Sequence, residues 1–173
     1  MTELRADSHN LVEEVRQARD GNPSAFERLV ERTESLLKKL AYPIVGAELL
    51  ADALQETYLQ MFRNLSQLRE PGAFIPWLSR MCLHECYRIA KKVKPEAELA
   101  ESAARVDPRA EVHAKVTLEQ ALKRMTRDDR DILILRELLG FSYEELSFTL
   151  RCPTGTVKSR LSTARQRLKE ALA

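Results

Sequence analysis

The chain has 173 residues, 44% of them hydrophobic, with only five glycines and seven prolines. That length excludes a large multi-domain enzyme, and so few helix breakers exclude a loop-rich or all-β protein and favour an all-α fold. The 28 Lys and Arg residues nearly cancel the 26 Asp and Glu residues, so the net charge of +2 is informative only when it is divided along the chain.

The sequence carries no segment typical of export or membrane insertion. No apolar run approaches the roughly 18 residues of a membrane helix, and the first ten residues are charged where a signal peptide would be apolar. Cys82, Cys86 and Cys152 are an odd number without the spacing of a disulfide framework. We therefore expect a cytoplasmic protein that does not insert into a membrane.

Apolar residues at helical spacing predict two helices at the start of the chain. The first carries Leu11 and Val15 on one face and stops before Gly21. Asn22 is the predicted N-cap of the second, because the proline after it loses no hydrogen bond at the first helical position. The second helix bends or ends near Pro43. Its predicted inward residues are Phe26, Leu29, Val30, Leu36, Leu37 and Leu40.

A third helix is predicted after Gly46. Its apolar stripe consists of Leu50, Leu54, Tyr58, Met61, Phe62 and Leu65. Its opposite face carries Asp52, Gln55, Glu56 and Gln60. Because the stripe faces a core, the polar face is predicted to lie outward, where it is free to meet a partner.

A fourth helix is predicted from about Phe74, after a turn across residues 66–72, to a basic run that ends at Pro95. Its basic residues are Arg80, Arg88, Lys91, Lys92 and Lys94, with Glu85 as the only acid among them. Trp77 and Tyr87 lie beside them. Basic and aromatic side chains together are typical of nucleic-acid binding. A solvated face, with its last lysines favoured by the helix dipole, is the alternative.

Residues 95–112 change in composition to Glu, Ala and Ser, with two prolines and no large aromatic side chain. This composition is typical of a linker. It is also acidic, since residues 96–113 contain two basic and five acidic residues. We therefore predict two small helical domains, residues 1–94 and residues 113–173, joined by a flexible acidic linker at residues 95–112.

Four helices are predicted in the second domain. The first carries Val112, Val116, Leu118, Leu122 and Met125. Thr126 and Asp129 cap the second. That helix carries Ile132, Leu133, Leu135, Leu138 and Leu139 and stops at Gly140. Ser142 and Glu145 form a capping box for the third, and Thr154 caps the fourth. The apolar line of the fourth helix is Val157, Leu161, Ala164 and Leu168. The last two helices, joined by a tight turn, form a helix-turn-helix pattern.

The end of the chain is strongly basic. Its basic residues are Arg151, Lys158, Arg160, Arg165, Arg167 and Lys169, and Glu170 is the only acid after the turn. Hydroxyl side chains accompany them at Thr154, Thr156, Ser159, Ser162 and Thr163. Lys158 and Arg160 stand near the N-terminus of the last helix, where the helix dipole disfavours cations. An approaching phosphate or base edge explains their placement.

Together these segments resemble the extracytoplasmic-function (ECF) sigma factors, the smallest class of initiation subunits of bacterial RNA polymerase. Residues 130–168, with Ser142-Tyr-Glu-Glu-Leu146 and the run 155–161, are similar to the family's promoter-reading C-terminal domain. Residues 51–65 resemble its polymerase-binding helix, and residues 74–78 with Glu85 and Cys86 resemble the helix that opens the minus-ten element. The resemblance covers nearly the whole chain. It implies a protein at the nucleoid that is not an enzyme, with no catalytic residue, cofactor or metal.

The resemblance implies that the first domain binds the clamp helices of the polymerase's largest subunit. The residues concerned are Asp52, Leu54, Gln55, Glu56 and Leu59. It also implies that this domain engages the minus-ten element and captures a flipped base. Flipping a base costs about a few kcal/mol, which contacts in a pocket can offset. The residues expected to contact this element are Asn64, Ser66, Gln67, Arg69, Phe74, Trp77, Arg80, His84, Arg88, Lys91 and Lys92.

The second domain is implied to dock on the flap of the second-largest subunit and to read the minus-thirty-five element with its last helix. The residues expected to contact that element are Thr154, Thr156, Lys158, Ser159, Arg160, Ser162, Thr163, Arg165 and Arg167. The implied partners are core RNA polymerase, double-stranded and melted promoter DNA, and an anti-sigma factor. The sequence departs from the family at His84, where asparagine is usual, and at Thr163, where arginine is common.

Other interpretations explain parts of the sequence. A helix-turn-helix regulator that does not carry polymerase accounts for residues 142–167 but not for the polar third helix or the basic fourth helix. Cys82 and Cys86 are one helical turn apart with His84 between them, but a structural zinc site needs four ligands, so packing thiols are favoured. An enzyme is disfavoured because the sequence has no nucleophile-base pair or Gly-rich phosphate loop.

Overall fold

The computed structural model describes residues 8–93 and 117–172, and these residues form helices and turns only. The first unit contains α1 (Ser8–Arg19), α2 (Pro23–Asn64) and α3 (Phe74–Val93). Two short 3-10 turns, Leu65–Gln67 and Pro71–Ala73, connect α2 to α3. The predicted linker at residues 95–112, Lys94, and the start of the first predicted helix of the second domain lie outside the described residues.

The second unit contains α4 (Leu118–Arg124), α5 (Arg127–Leu133), α6 (Tyr143–Leu150) and α7 (Thr154–Leu172). A π-helical turn, Ile134–Leu138, extends α5. The all-α fold predicted from the sequence is therefore confirmed. Within the described ranges, no helix has both the length and the apolar character needed to cross a membrane.

The predicted second and third helices form one long run, α2, which is broken at Gly46. Gly46 has φ 73° and ψ −178°, a combination outside the helical region that only glycine adopts at low cost. Pro43 lies one turn earlier and removes a backbone donor from the helix. The break therefore divides α2 into the two segments that the sequence predicted.

Gly46→Ala is expected to lower the free energy of unfolding by about 2 kcal/mol, because alanine at this φ and ψ is strained. The position has no steric conflict to add to this cost, since an added Cβ at Gly46 has no heavy atom within 4 Å. Urea unfolding measures the change. Gly72→Ala is the matched control, because Gly72 has equal space and no positive φ, and an equal loss in both variants would contradict the explanation.

Side-chain caps begin several of the helices where the sequence predicted them. The Asn22 Oδ1 atom accepts a hydrogen bond from the Ala25 N–H at 3.2 Å, with proline at the first helical position. Ser142 and Glu145 form the predicted capping box of α6. The cap of α7 differs by one residue: Thr154 is already helical, and the Pro153 carbonyl accepts the first bond of the helix from Val157 N–H at 3.0 Å.

The core of the first unit lies between α1, α2 and α3. Its largest fully buried side chains are Leu29, Leu37, Leu40, Met61, Phe74 and Leu78. Phe62 was expected in this stripe but is 70% exposed and packs edge-on against Phe26. One residue rotates the direction of a side chain by about 100° around a helix, so Met61 and Phe62 cannot both face the core. Leu138 in the π-helical turn is likewise 52% exposed.

The two units pack against each other. Their buried apolar side chains form one continuous cluster, with α6 against α3 and α4 against α2. The Thr149 hydroxyl of α6 donates a hydrogen bond to the Pro76 carbonyl of α3 at 3.3 Å. This packing leaves a cleft of about 660 Å³ between α3 and the second unit.

Candidate nucleic-acid interface

The polar face of α2 lies on the surface, as predicted. Asp52 and Gln55 are exposed, Glu56 is half-buried, and Leu59 is 39% exposed. Leu54 does not belong to this surface, because it is buried and packs into the core. Phe62, a predicted core residue, is exposed and lies one turn beyond the polar residues. The exposed face is therefore a band of acid and amide groups next to an apolar patch.

An ion-pair chain connects this face to α3. Arg88 Nη2 lies 3.1 Å from Glu56 Oε2, and Arg88 Nε lies 2.5 Å from Glu85 Oε2. Glu85 is only 3% exposed, and its other oxygen contacts His84 Nδ1 at 3.2 Å. The hydrogen bond to Glu85 raises the pKa of Arg88. Arg88 was predicted to contact DNA, whereas in this structure it pairs with two carboxylates.

Arg88→Met is expected to lower the free energy of unfolding, because it leaves the buried Glu85 carboxylate without its cation. The loss is smaller than for a fully buried pair, since the Arg88 side chain is 34% exposed. Chemical denaturation measures it. Lys92→Met is the control: it removes the same charge from an exposed position on the same helix, and a similar loss there would contradict this role for Arg88.

The predicted minus-ten residues are divided between a surface and the core. Asn64 and Gln67 hydrogen-bond to each other at 3.1 Å in the turn after α2, where Ser66 and Arg69 are exposed. Phe74 is fully buried, so its ring packs in the core and is not available to DNA. The predicted residues of α3 that remain accessible are Trp77, Arg80, His84, Lys91 and Lys92.

Trp77, Arg80 and His84 line the cleft between the two units. The Arg80 guanidinium lies 5.5 Å from the centre of the Phe148 ring. Burial, and after it the charge of Arg151, lowers the pKa of Arg80. Arg151 follows α6 in the left-handed conformation, with φ 52° and ψ 45°, which glycine would adopt at less cost. A left-handed residue was not predicted at this position from the sequence.

The outward face of α7 carries most of the predicted minus-thirty-five residues. Lys158, Ser159, Ser162 and Thr163 are exposed, whereas Thr154 and Thr156 are half-buried at the start of the helix. Lys158 Nζ lies 5.5 Å from the centre of the Tyr143 ring. A recognition helix contacts base edges with its N-terminal residues, and these residues occupy that part of α7.

Three predicted DNA-contacting arginines of α7 instead lie beside acids of the same unit. Arg165 makes two hydrogen bonds to Glu137, at 2.9 and 2.7 Å, and Arg167 lies 2.6 Å from Asp129. Arg160 lies 3.6 Å from the exposed Asp128. Because Asp129 is buried and Arg167 is its ion-pair partner, Arg167 joins α7 to α5.

The cysteines and His84 do not assemble a metal site. The Cys82 and Cys86 sulfur atoms are 3.9 Å apart in the core, and their mutual contact together with burial raises the pKa of Cys86. His84 is exposed on another side of α3. No group of three His, Cys, Asp or Glu side chains suited to a metal occurs in residues 8–93 or 117–172.

Comparison with known proteins identifies two family matches. The sigma-70 region 2 family matches residues 29–95, and the sigma-70 region 4 family matches residues 115–168. The RNA polymerase sigma-H factor of Pseudomonas aeruginosa is 31% identical over 94% of this chain and 92% of its own length. The ECF RNA polymerase sigma-E factor of Haemophilus influenzae is 29% identical over 94% of this chain and 93% of its own length.

Two solved structures share the fold. CnrH in complex with the cytosolic domain of CnrY has a TM-score of 0.74 at 22% identity, covering 94% of this chain and 96% of its own. The sigma factor RpoE of Bartonella quintana, in complex with the anti-sigma factor NepR, has a TM-score of 0.66 at 24% identity, covering 85% of this chain and 96% of its own.

Proposed function

The chain belongs to the ECF sigma factors of bacterial RNA polymerase, and we propose from that membership how its two domains direct the core enzyme to promoters. The protein binds core polymerase, recognises a promoter and supports initiation. The observation that carries this function is that each half of the chain matches a different sigma region. A helix-turn-helix regulator without polymerase is not favoured, because it leaves the region 2 match unexplained.

The two domains are placed at residues 1–94 and 113–173, with residues 95–112 between them. The matched ranges, 29–95 and 115–168, support these limits. The protein acts in the cytoplasm, on the DNA of the nucleoid. It supplies binding surfaces and no covalent chemistry, since the polymerase performs the reaction.

Core polymerase docks on the exposed face of α2. Asp52 offers a carboxylate and Gln55 an amide group, and both side chains are exposed. Asp52 forms no ion pair with another of the described residues. Leu59 and Phe62 add accessible apolar area beside them. A polar rim around an apolar centre is the usual anatomy of a specific interface. The contact is with the clamp helices of the largest polymerase subunit.

The minus-ten element binds along α3 and the turn before it. Lys91 and Lys92 are exposed cations that position phosphates, while Asn64 and Gln67 offer amide groups to a flipped base. Trp77 provides an aromatic face for stacking, which contributes about 1–3 kcal/mol per base. Arg88 holds α3 against α2 and is removed from the set of DNA contacts.

The minus-thirty-five element binds the N-terminal half of α7. Lys158, Ser159, Ser162 and Thr163 are the residues that reach DNA from this half. Arg160 can leave the exposed Asp128 for a phosphate, whereas Arg167 stays with buried Asp129. Docking on the flap of the second-largest subunit would use the remaining surface of the same domain.

An anti-sigma factor is the proposed regulator. CnrH is bound by the cytosolic domain of CnrY and RpoE by NepR, and both share this fold. Co-expression with the product of the neighbouring gene, followed by affinity capture, tests the proposal. Inhibition of transcription by the captured protein is the expected result, and an active protein with no such inhibitor in its cell would contradict it.

Size-exclusion chromatography with purified core polymerase tests the function directly. The protein is expected to co-elute with the core enzyme and to make it retain promoter DNA at physiological salt. Chromatography at increasing salt separates a specific complex from general charge attraction, because the latter weakens steeply with ionic strength. A protein that binds DNA but never co-elutes with core polymerase would favour the regulator instead.

A further inference from the structure

Two arginines from different domains line the cleft between α3 and the second unit. Arg80 lies on α3, and Arg151 follows the last turn of α6. Burial, and after it the charge of Arg151, lowers the pKa of Arg80, so the two cations lie close to each other. Within the described ranges, neither side chain forms an ion pair with a carboxylate. Like charges at close range cost energy, and an anion bound between them would replace this repulsion with attraction.

The acidic side chains of the cleft do not neutralise these two arginines, because each acid has another partner. The pairs are Glu85 with Arg88 at 2.5 Å, Asp131 with the Tyr87 hydroxyl at 2.5 Å, and Asp128 with Arg160 at 3.6 Å. Arg127, the third arginine of the cleft, lies over the Tyr87 ring and 3.8 Å from Asp131. The positive charge that is left without an acid is therefore that of Arg80 and Arg151.

The backbone of Arg151 is a second, independent sign that its side chain is needed in this place. Arg151 has φ 52° and ψ 45°, and among the described residues it is the only one other than glycine with a positive φ. Helices commonly end with a glycine in this conformation, because a Cβ atom costs energy there. Strained residues of this kind cluster where a side chain has a binding role.

The rest of the cleft matches the size and chemistry of a nucleotide. Its volume of about 660 Å³ lies within the range of small-molecule sites, about 300–1,000 Å³. Trp77 lies one turn before Arg80 on α3, so a base can stack on its ring while the phosphates contact Arg80. Gln60 and Asn64 add amide groups to the lining of the same cleft. The cleft thus combines an aromatic face, amide groups and two unpaired cations.

We propose that this cleft binds a nucleotide with at least two phosphates, held by Arg80 and Arg151 from the two domains and stacked on Trp77. Arginine suits this role, since its guanidinium donates two parallel hydrogen bonds to a phosphate. The site goes beyond the proposed function, because neither polymerase nor promoter DNA takes part in it. The bound nucleotide joins the two domains and occupies two residues that are expected to contact the minus-ten element.

Titration of the full chain with ADP and with GDP, followed by tryptophan fluorescence, tests the site. Trp77 is the single tryptophan of the chain, so a base that stacks on it changes the whole emission. A saturable change is expected at nucleotide concentrations below about 1 mM. Calorimetric titration with inorganic pyrophosphate separates the phosphates from the base. Pyrophosphate is expected to bind about tenfold more weakly than the better nucleotide, because it has no base to stack.

Arg151→Gly is the sharpest variant, because it removes the side chain and relieves the backbone together. It is expected to weaken nucleotide binding by about tenfold or more, through the loss of a charged hydrogen-bond donor. Its melting temperature is expected to be no lower than that of the wild type, since glycine adopts the left-handed conformation freely. Arg80→Gln is expected to weaken binding to a similar degree. Arg124→Gln is the matched control, because Arg124 is exposed in the second domain and does not line the cleft.

Equal nucleotide affinity in Arg151→Gly and Arg124→Gln would overturn the proposal, as would Trp77 emission that neither nucleotide changes. Pyrophosphate that binds as tightly as both nucleotides would overturn the assignment of the ligand as a nucleotide. None of these results involves core polymerase. Failure of this site is therefore distinguishable from failure of the proposed function, which co-elution with the core enzyme tests.

Discussion

Asp52→Arg is expected to weaken binding to core polymerase by about 100-fold, because it reverses the charge within the proposed docking face, and a mismatched charge in an interface costs several kcal/mol. Asp52 is exposed on α2, and no ion pair in the described structure holds its side chain. The substitution should therefore leave folding unchanged and act on the interface alone. Titration of labelled core polymerase with each protein measures the affinity.

Glu31→Arg is the control for Asp52→Arg. Glu31 is also exposed on α2, but it precedes the break at Gly46 and lies outside the proposed docking face. Both variants replace an acidic residue by arginine, so they change the net charge equally. Any difference between their affinities for core polymerase therefore reflects the position of the substitution. Equal weakening by both variants would mean that the net charge of the domain, and not the face around Asp52, governs binding.

Lys158→Glu is expected to weaken promoter binding by the polymerase complex by about 100-fold and to lower the slope of affinity against salt by at least about one unit. Lys158 is exposed near the N-terminus of α7, so the variant replaces a cation that neutralises phosphate with an anion that repels it. Filter binding or fluorescence anisotropy across a salt series measures both quantities.

Arg167→Ala separates DNA contact from folding on the same helix. Arg167 lies 2.6 Å from buried Asp129, so its loss is expected to destabilise the second domain while leaving the salt slope unchanged. Lys158→Glu is expected to show the opposite pattern. If Arg167→Ala lowered the slope and Lys158→Glu did not, the assignment of the reading face of α7 would be reversed.

Local signals in the sequence were sufficient to predict much of the fold. Asn22 with its following proline, and Ser142 with Glu145, determine helix starts through contacts three residues apart, which a sequence displays directly. The break of α2 at Gly46 is local in the same sense. The apolar stripe of α2 was a less reliable guide to which side chains are buried. Met61 and Phe62 both fit a broad stripe, but Met61 faces the core and its neighbour Phe62 is therefore turned toward solvent.

The candidate site depends on contacts between residues far apart in the chain. The helical spacing of α3 predicts that Arg88 lies on an exposed face and is free to bind DNA. The fold brings the Glu56 carboxylate, 32 positions away in the sequence, to 3.1 Å from its guanidinium. Arg167 meets Asp129 across 38 positions, and Tyr87 meets Asp131 across 44. A basic residue in a sequence therefore indicates an available charge, while the fold decides whether that charge meets DNA or a carboxylate.

The partition of charge has a structural counterpart. Acids of α5 and the π-helical turn neutralise part of the basic α7, leaving its N-terminal half as the accessible cationic surface. Glu85 and Glu56 do the same for Arg88 in the first domain. Lys92 and Lys158 are exposed, and both lie where DNA is expected to bind. The number of basic residues in the sequence therefore overstates the charge that is accessible to DNA.

Transcription from a genomic DNA library by core polymerase, with and without this protein, tests the central claim most directly. Sequencing of the transcript 5′ ends is expected to reveal start sites that require the protein and share two upstream elements. Asp52→Arg should abolish these start sites, and Glu31→Arg should retain them. Start sites identical with and without the protein, under conditions where it binds DNA, would contradict its function as a sigma factor.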